Sequence, residues 1–284
     1  MEAAFAGAGA RVERVDLAEC GFDTRSASGL ALPILGSQLP DAVHVRTLSA
    51  GSFEAVTKRL GVLHALASLG VVVWNDARAI ERCVDKSMTS FLLARAGLPT
   101  PPTWTMESAE AARALVEREA PRGPLVLKPL FGAQGKGLRL IHGRDELPGP
   151  EEVAGVYYLQ RFQPNGTDDF RDYRLFVLRG RVIAAMMRRA STWITNVKQG
   201  GQPFAVARDP EMERLVIAAA DAVGAAIAGV DVLVDANGAP TVLEVNSMPA
   251  WGGLQKVSRR NIAKAIASAL MDELARRPAQ RRAL

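Results

Sequence analysis

The chain has 284 residues, of which 48% are hydrophobic and 23% charged. That globular balance excludes disordered, collagen-like and coiled-coil proteins and leaves room for two or three packed modules. Removing Arg276, Arg277, Arg281 and Arg282 of the closing RRPAQRRAL from the 35 basic residues leaves 31 against 30 acidic ones, so four of the five net positive charges belong to the tail and the body is nearly neutral.

No apolar run approaches the ~20 residues of a membrane helix, and the opening MEAAFAGAGARVERVDL breaks into charge too early for a secretory signal. Two cysteines, Cys20 and Cys83, build no disulfide framework. His44, His64 and His142 lack zinc spacing. A cytoplasmic protein is expected, with no membrane and no nucleic-acid partner, because no basic stripe is interleaved with aromatics.

In chain order, residues 1–78 predict a small βαβ unit: strands over 11–17 and 41–48, a helix over 53–70 and a strand over 71–75. The Ala/Gly-rich stretch from Ala3 to Ala10 places residue 1 within a helix, so the first strand of this unit is expected upstream. Residues 79–156 form a second unit. It has a helix over 79–97 stopped by Gly97 and Pro99, a helix capped by Ser108, and strands over 124–130 and 137–143. Residues 157–284 form a third, with strands over 157–162, 173–180 and 181–190, a helix over 210–228, strands over 230–235 and 240–246, and a last helix over 258–276. The class is α+β with an α/β N-terminal domain.

GAQGKG, Gly132 to Gly137, lies between two predicted strands, which excludes the Rossmann and Walker loops that lead into helices. It reads as a hairpin flap able to fold over a nucleotide, or as a simple tight turn. Lys128 lies inside an apolar strand, where a lysine without an anion is costly. Asn237-Gly238 predicts a two-residue type I′ turn. That register sets Asp231 opposite Glu244, with Asn246 on the same face as Glu244. Two carboxylates and an amide oxygen are hard donors suited to Mg²⁺; the plainer reading leaves both carboxylates in solvent. Lys86, Arg174, Arg188 and Arg189 suit phosphate or carboxylate, although strand-end arginines are often simply solvated.

With these residues assembled, the chain resembles the ATP-grasp superfamily, and within it the RimK-like α-L-glutamate ligases, from about Pro40 onward. The likeness rests on DKSMTSFLLARAGLPTP, LVLKPLFGAQGKGLRLI, RDYRLFVLRGRVIAAMMRRA, WITNVKQGG and AGVDVLVDANGAPTVLEVNSMPAWGGL. WITNVKQGG with LEVNSMP is similar to the subgroup that glutamylates tetrahydromethanopterin-type or other small cofactors. The resemblance implies an ATP-grasp fold of three subdomains, with ATP held between two α+β modules.

By the same resemblance, Lys86 and Lys128 would hold the phosphates under a flap of Gly132, Gln134, Gly135, Lys136 and Gly137. The backbone of Gln160, Arg161 and Phe162 would read adenine, and Asp172 and Asn196 would complete the nucleotide site. Arg174 would stabilise the transferring groups with Lys128 and Asn246. Asp231, Glu244 and Asn246 would hold Mg²⁺, with Mn²⁺ as a substitute. Ser247, Met248 and Pro249 would border the substrate pocket, and Asn196, Gly200 and Gly201 would shape the loop where the acceptor arrives. The partners implied are L-glutamate and a small-molecule acceptor, in a homodimer or tetramer.

Three departures from the family pattern stand out. Arg161 replaces a common glutamate. Ile194 replaces an arginine of members that modify a ribosomal protein. The family's first β-strand and its following loop are expected upstream of residue 1. The alternatives are a ligase acting on a protein or peptide C-terminus, a nucleotide-binding homologue without catalysis, and an RNA-binding protein using the basic tail.

Overall fold

The computed structural model describes residues 1–36, 38–132, 134–164 and 169–277. The basic tail expected to be solvated lies almost wholly outside them. The chain opens with α1 (Glu2–Ala6), and residues 11–17, expected as a strand, are irregular. Val12 packs toward one core while Val15 and Leu17 pack toward another, so the segment has no single buried face to align with a sheet. A two-residue ladder, β1 (Gly21–Phe22) with β2 (Leu30–Ala31), follows it.

β3 (Ala42–His44) and β4 (Val72–Trp74) pair in parallel, joined by α2 (Phe53–Ser68). Ser52 caps α2 by accepting from the Ala55 N–H. The helix expected over 79–97 is two: α3 (Ala77–Val84) and α4 (Lys86–Arg95). Asp85 breaks it. Its backbone is extended, and its carboxylate accepts from the Ser87 and Met88 N–H groups, so it starts a new helix instead of continuing the old one.

The second sheet contains β5 (Thr103–Met106), then, after α5 (Ala109–Glu119), β6 (Leu125–Lys128), β7 (Arg139–Ile141) and β8 (Tyr157–Arg161) in the order β5-β8-β6-β7. β8, expected to open the third module, therefore completes the second. It is antiparallel to both β5 and β6. β5 itself was not legible as a strand, being four residues among prolines.

The large sheet has the order β11-β10-β9-β12-β13, built from β9 (Phe170–Leu178), β10 (Arg181–Ala190), β11 (Gln202–Ala205), and, beyond α6 (Pro210–Val223), β12 (Ile227–Val234) and β13 (Pro240–Asn246). α6 ends at Gly224, in the left-handed region at φ 76°. The remaining helices are α7 (Gly252–Val257) and α8 (Ile262–Arg276), split where Asn261 caps the latter.

One face of the sheet buries Leu175, Val177, Val230 and Val245 under α6. The other buries Phe176, Leu178, Met186 and Ile227 under α8. Residues two apart on a strand share a face, so Asp172 and Arg174 stand on the α8 side, beyond its apolar end.

Candidate functional site

The charged end of that face is a checkerboard. Across β10 and β9, Arg188 is paired with Asp172; across β9 and β12, Arg174 with Asp231; across β12 and β13, Asp231 with Glu244. Opposite charges facing across strands stabilise a sheet. Arg174 donates from Nε and Nη2 to the two Asp231 oxygens, each at 2.6 Å. Arg188 forms the same fork with Asp172 and reaches Asp231 Oδ2 at 2.9 Å.

Asp231, Asp172 and Arg188 are each 2% exposed. Burial alone would raise the Asp231 carboxyl, but Arg174 and then Arg188 outweigh it and hold it well below the usual range. The Asp172 carboxyl is raised, because burial there outweighs Arg188. Arg188 stays protonated, since Asp231 and Asp172 overcome its desolvation.

The facing of Asp231 and Glu244 matches the hairpin arithmetic, but for two cancelling reasons. The turn is not type I′: Gly238 has φ 86°, while Asn237 does not lie in the left-handed region. Asp235 prevents it, accepting through Oδ1 from the N–H groups of Asn237 and Ala239 and closing a three-residue loop. That loop shifts the register by one, and a bulge between Asp231 and Val232 shifts it back. The cation that offsets the facing carboxylates is Arg174, whose Nη2 also lies 3.8 Å from Glu244. Asn246 donates from Nδ2 to Glu244 Oε1 at 2.9 Å.

Lys128 and Lys86 converge on the same cleft, which Asp172, Arg188, Asp231 and Glu244 also line. Lys128 donates to Gln160 Oε1 at 2.6 Å, and Gln160 in turn donates to Thr103 and Tyr158. It is therefore partnered, though by a neutral group. Burial lowers its pKa to about 8, with Glu244 pulling the other way. Lys86 donates to the carbonyls of Leu130 and Gly132, tying α4 to the base of the flap. Its pKa is lowered by burial, with Glu244 and Asp85 opposing.

The flap is a turn connecting β6 and β7. Gln134, Gly135 and Gly137 have φ of 66°, 71° and 72°. Lys136 on it is exposed. Gly135 is the required glycine, since an added Cβ would meet Asn196 Oδ1 at 2.5 Å. Gln199 donates to the Gln134 carbonyl at 3.4 Å, so the flap already rests on the 196–200 loop. There Gly200 is left-handed at φ 102°, and Gly201 lies where an added Cβ would collide with the Thr195 carbonyl.

Arg161 lines the cleft, with its guanidinium tied to the end of α5. It pairs with Glu119 at 2.9 Å and donates to the carbonyls of Glu119 and Gly123, pinning β8 to the end of α5. Phe162 instead packs edge-on against Trp193, which also lines the cleft.

One residue of the cleft was only half legible in the sequence, and one that holds the fold together was not legible at all. Arg188 suited phosphate or carboxylate, but equally a solvated strand end. Arg179 and Gly180 are both left-handed, a two-residue turn whose plain register would face Arg188 with Arg171. A bulge at Ile183 moves it to Asp172. Asn75 carried no motif. Buried after β4, it donates to the carbonyls of Ile227 and Ser247 and accepts from the Ile227 N–H, clamping the first unit onto the large sheet.

A Gly-rich flap over a cleft lined by lysines and a carboxylate hairpin, between two α+β sheets, is the architecture of an ATP-grasp protein. The profile of the RimK-like ATP-grasp domain matches residues 83–270. The chain belongs to that family.

It is 38% identical over 200 residues to the tetrahydromethanopterin:alpha-L-glutamate ligase of Methanococcus maripaludis, covering 68% of this chain and 67% of that one. It is 33% identical over 228 residues to a probable alpha-L-glutamate ligase of Legionella pneumophila, covering 74% of each. Among solved structures it is similar to the ATP-grasp ligase PsnB complexed with minimal precursor, Mg and ADP, with TM-score 0.71 and 21% identity over 96% of this chain and 93% of that one. It is also similar to the macrocyclase MdnC bound with precursor peptide MdnA from Microcystis aeruginosa, with TM-score 0.69 and 16% identity over 94% and 93%.

Proposed function

We propose that this protein is an ATP- and Mg²⁺-dependent carboxylate–amine ligase that joins L-glutamate to a small cofactor of tetrahydromethanopterin type through an acyl phosphate. The observation that carries this reading is the convergence of Lys86, Lys128 and Arg188 with Glu244 on one cleft beneath a Gly-rich flap. Cations placed before the substrate arrives cost no reorganisation during reaction, and phosphoryl transfer depends mostly on such positioning.

In this reading Lys86 and Lys128 neutralise the ATP phosphates, and the backbone of Gln160 to Phe162 borders the base. The flap excludes water that would hydrolyse the acyl phosphate. The substrate carboxylate attacks the γ-phosphorus and ADP leaves; the glutamate amine then displaces phosphate, losing a proton as the amide forms. Arg174 and Arg188, locked by Asp231 and Asp172, present fixed positive charge to the transferring group.

The residues fit a divalent ion in the way Mg²⁺ prefers, through one or two protein oxygens with phosphates completing the shell. Glu244 and Asn246 would hold it. Both oxygens of Asp231 are taken by guanidinium groups, so Asp231 joins them only if Arg174 releases it. Among the described residues no group of three or more His, Cys, Asp or Glu is arranged to hold a metal alone. A divalent ion held by Glu244 and Asn246 would supply Lewis-acid withdrawal of phosphate charge.

A small acceptor is supported by the relative that shares 38% identity, whereas peptide acceptors draw only on likeness of fold. No helix among the described residues is long and apolar enough to cross a membrane, and a reaction consuming ATP and glutamate belongs in the cytoplasm. The test is ADP release with Mg²⁺, ATP, glutamate and candidate pterin acceptors, with hydroxylamine added to trap an acyl phosphate. Acceptor-dependent ADP release with hydroxamate formation supports the proposal. ATP binding with no acceptor-dependent release from any carboxylate acceptor overturns it.

A further inference from the structure

Parallel strands carry ligand sites beyond their carboxyl ends. Just past the end of β3, Arg46 is half-buried with its guanidinium carbon 3.8 Å from the Trp251 ring centroid. Among the described residues its one hydrogen bond is to the Pro249 carbonyl at 3.4 Å, and it forms no ion pair. The two arginines of the charged checkerboard on the large sheet each have a carboxylate: Arg174 has Asp231 and Arg188 has Asp172. Burial lowers the Arg46 pKa, with no acid offsetting the desolvation. His44, two residues back, supplies no negative charge. Its ring nitrogens are buried without partners, and burial and then Arg46 lower its pKa to about 4.

Arg46 also adjoins the reaction centre. Gly229 lies where an added Cβ would meet Pro249 Cβ at 2.7 Å and the Arg174 stem at 4.0 Å. Pro249 thus lies beside both Arg46 and the Arg174 stem. Trp251 packs edge-on against Phe176, which shares the face of Arg174 two residues along β9. The ring under the guanidinium leaves its donors beyond the one given to Pro249 available at the edge, the arrangement that suits bidentate capture of a carboxylate.

We infer that Arg46, held on Trp251, anchors a carboxylate of a substrate, separate from the carboxylate that becomes the acyl phosphate. The inference rests on the ligase reading above. Arg46 is outside the nucleotide cleft, so its contribution falls on the acidic substrate and not on ATP.

The test uses the full chain loaded with Mg²⁺ and a non-hydrolysable ATP analogue. L-glutamate and glutarate, a dicarboxylate without the amine, are titrated by calorimetry into wild type, Arg46→Gln and Arg46→Lys. Arg46→Gln keeps a donor for Pro249 and should melt close to wild type. It should weaken binding of a carboxylate probe about tenfold, the loss of one charge-assisted contact, with affinity for the ATP analogue unchanged. Arg46→Lys, keeping charge without the planar fork, should fall between. Loss confined to L-glutamate assigns the anchor to the incoming amino acid; loss for glutarate as well assigns it to a carboxylate shared with the acceptor. Equal binding of both probes by wild type and Arg46→Gln overturns the inference, as does failure of wild type to bind either probe while binding the ATP analogue. Failure to bind the ATP analogue at all would instead sink the ligase reading.

Discussion

Lys128 shows how burial sets the chemistry of one residue. An apolar strand around a lysine suggested a charge awaiting phosphate, and the structure adds a neutral partner, Gln160 Oε1. Removing the amine therefore relieves a desolvated charge but leaves a buried acceptor unmet, a loss of about 1–3 kcal/mol. Lys128→Met, which fills the same space, should melt within a few degrees of wild type while weakening ATP binding about tenfold or more; unchanged affinity in a filter or calorimetric assay would remove Lys128 from the phosphate site.

The pKa of about 8, against 10.5 ordinarily, gives the sign of the pH effects. Between these values the unfolded chain binds more protons than the folded one, so stability contributed by this residue rises with pH. ATP affinity moves oppositely, weakening as pH climbs through about 8, and Lys128→Met should lose both trends.

Glu244 faces Asp231 across the sheet, where two bare carboxylates would repel. With Arg174 at 3.8 Å and both lysines attracting it, Glu244 sits among cations. Glu244→Gln should not raise the melting temperature in EDTA, and should abolish the added stabilisation by Mg²⁺-ATP. Retention of the full shift in scanning fluorimetry would take the metal away from Glu244.

At the scale of elements, strands with continuous apolar runs were legible, and β10 and β13 begin and end where the pattern puts them. What the sequence hides is register. The loop at Asp235 and the bulge at Asp231 each displace the pairing by one and cancel, whereas the bulge at Ile183 is not cancelled and conceals the pairing of Arg188 with Asp172. Bulges carry no fixed residue signature, so strand arithmetic fails beyond them. The flap was legible through its glycines, but its resting place on Asn196 was not. Gly135→Ala should strain the left-handed backbone and push against Asn196. Turnover is expected to fall about tenfold with the melting temperature held, since the flap lies outside every core; unchanged turnover would mean that the flap does not close over substrate.

Across the whole molecule, assembly depends on contacts that no local pattern encodes. Arg174 and Asp231 are 57 positions apart, and Asn75 is 152 positions from Ile227. Family likeness supplied the architecture, but the clamp is visible only in three dimensions. Asn75→Ala removes three buried hydrogen bonds joining the first unit to the large sheet and leaves their partners unsatisfied. A loss of about 3 kcal/mol or more is expected by urea denaturation, with weaker binding of the acidic substrate as Arg46 and Pro249 separate. A stability loss without that weakening would show that the two units hold the substrate independently.

The measurement that bears most directly on the central reading is mass spectrometry of a small-molecule acceptor pool containing reduced pterin cofactors, incubated with the protein, ATP, Mg²⁺ and L-glutamate. The expected result is an acceptor heavier by one or more glutamyl residues, with one ADP formed per residue added and neither product seen with Glu244→Gln. A protein that binds ATP and Mg²⁺ yet leaves every acceptor mass unchanged would contradict it.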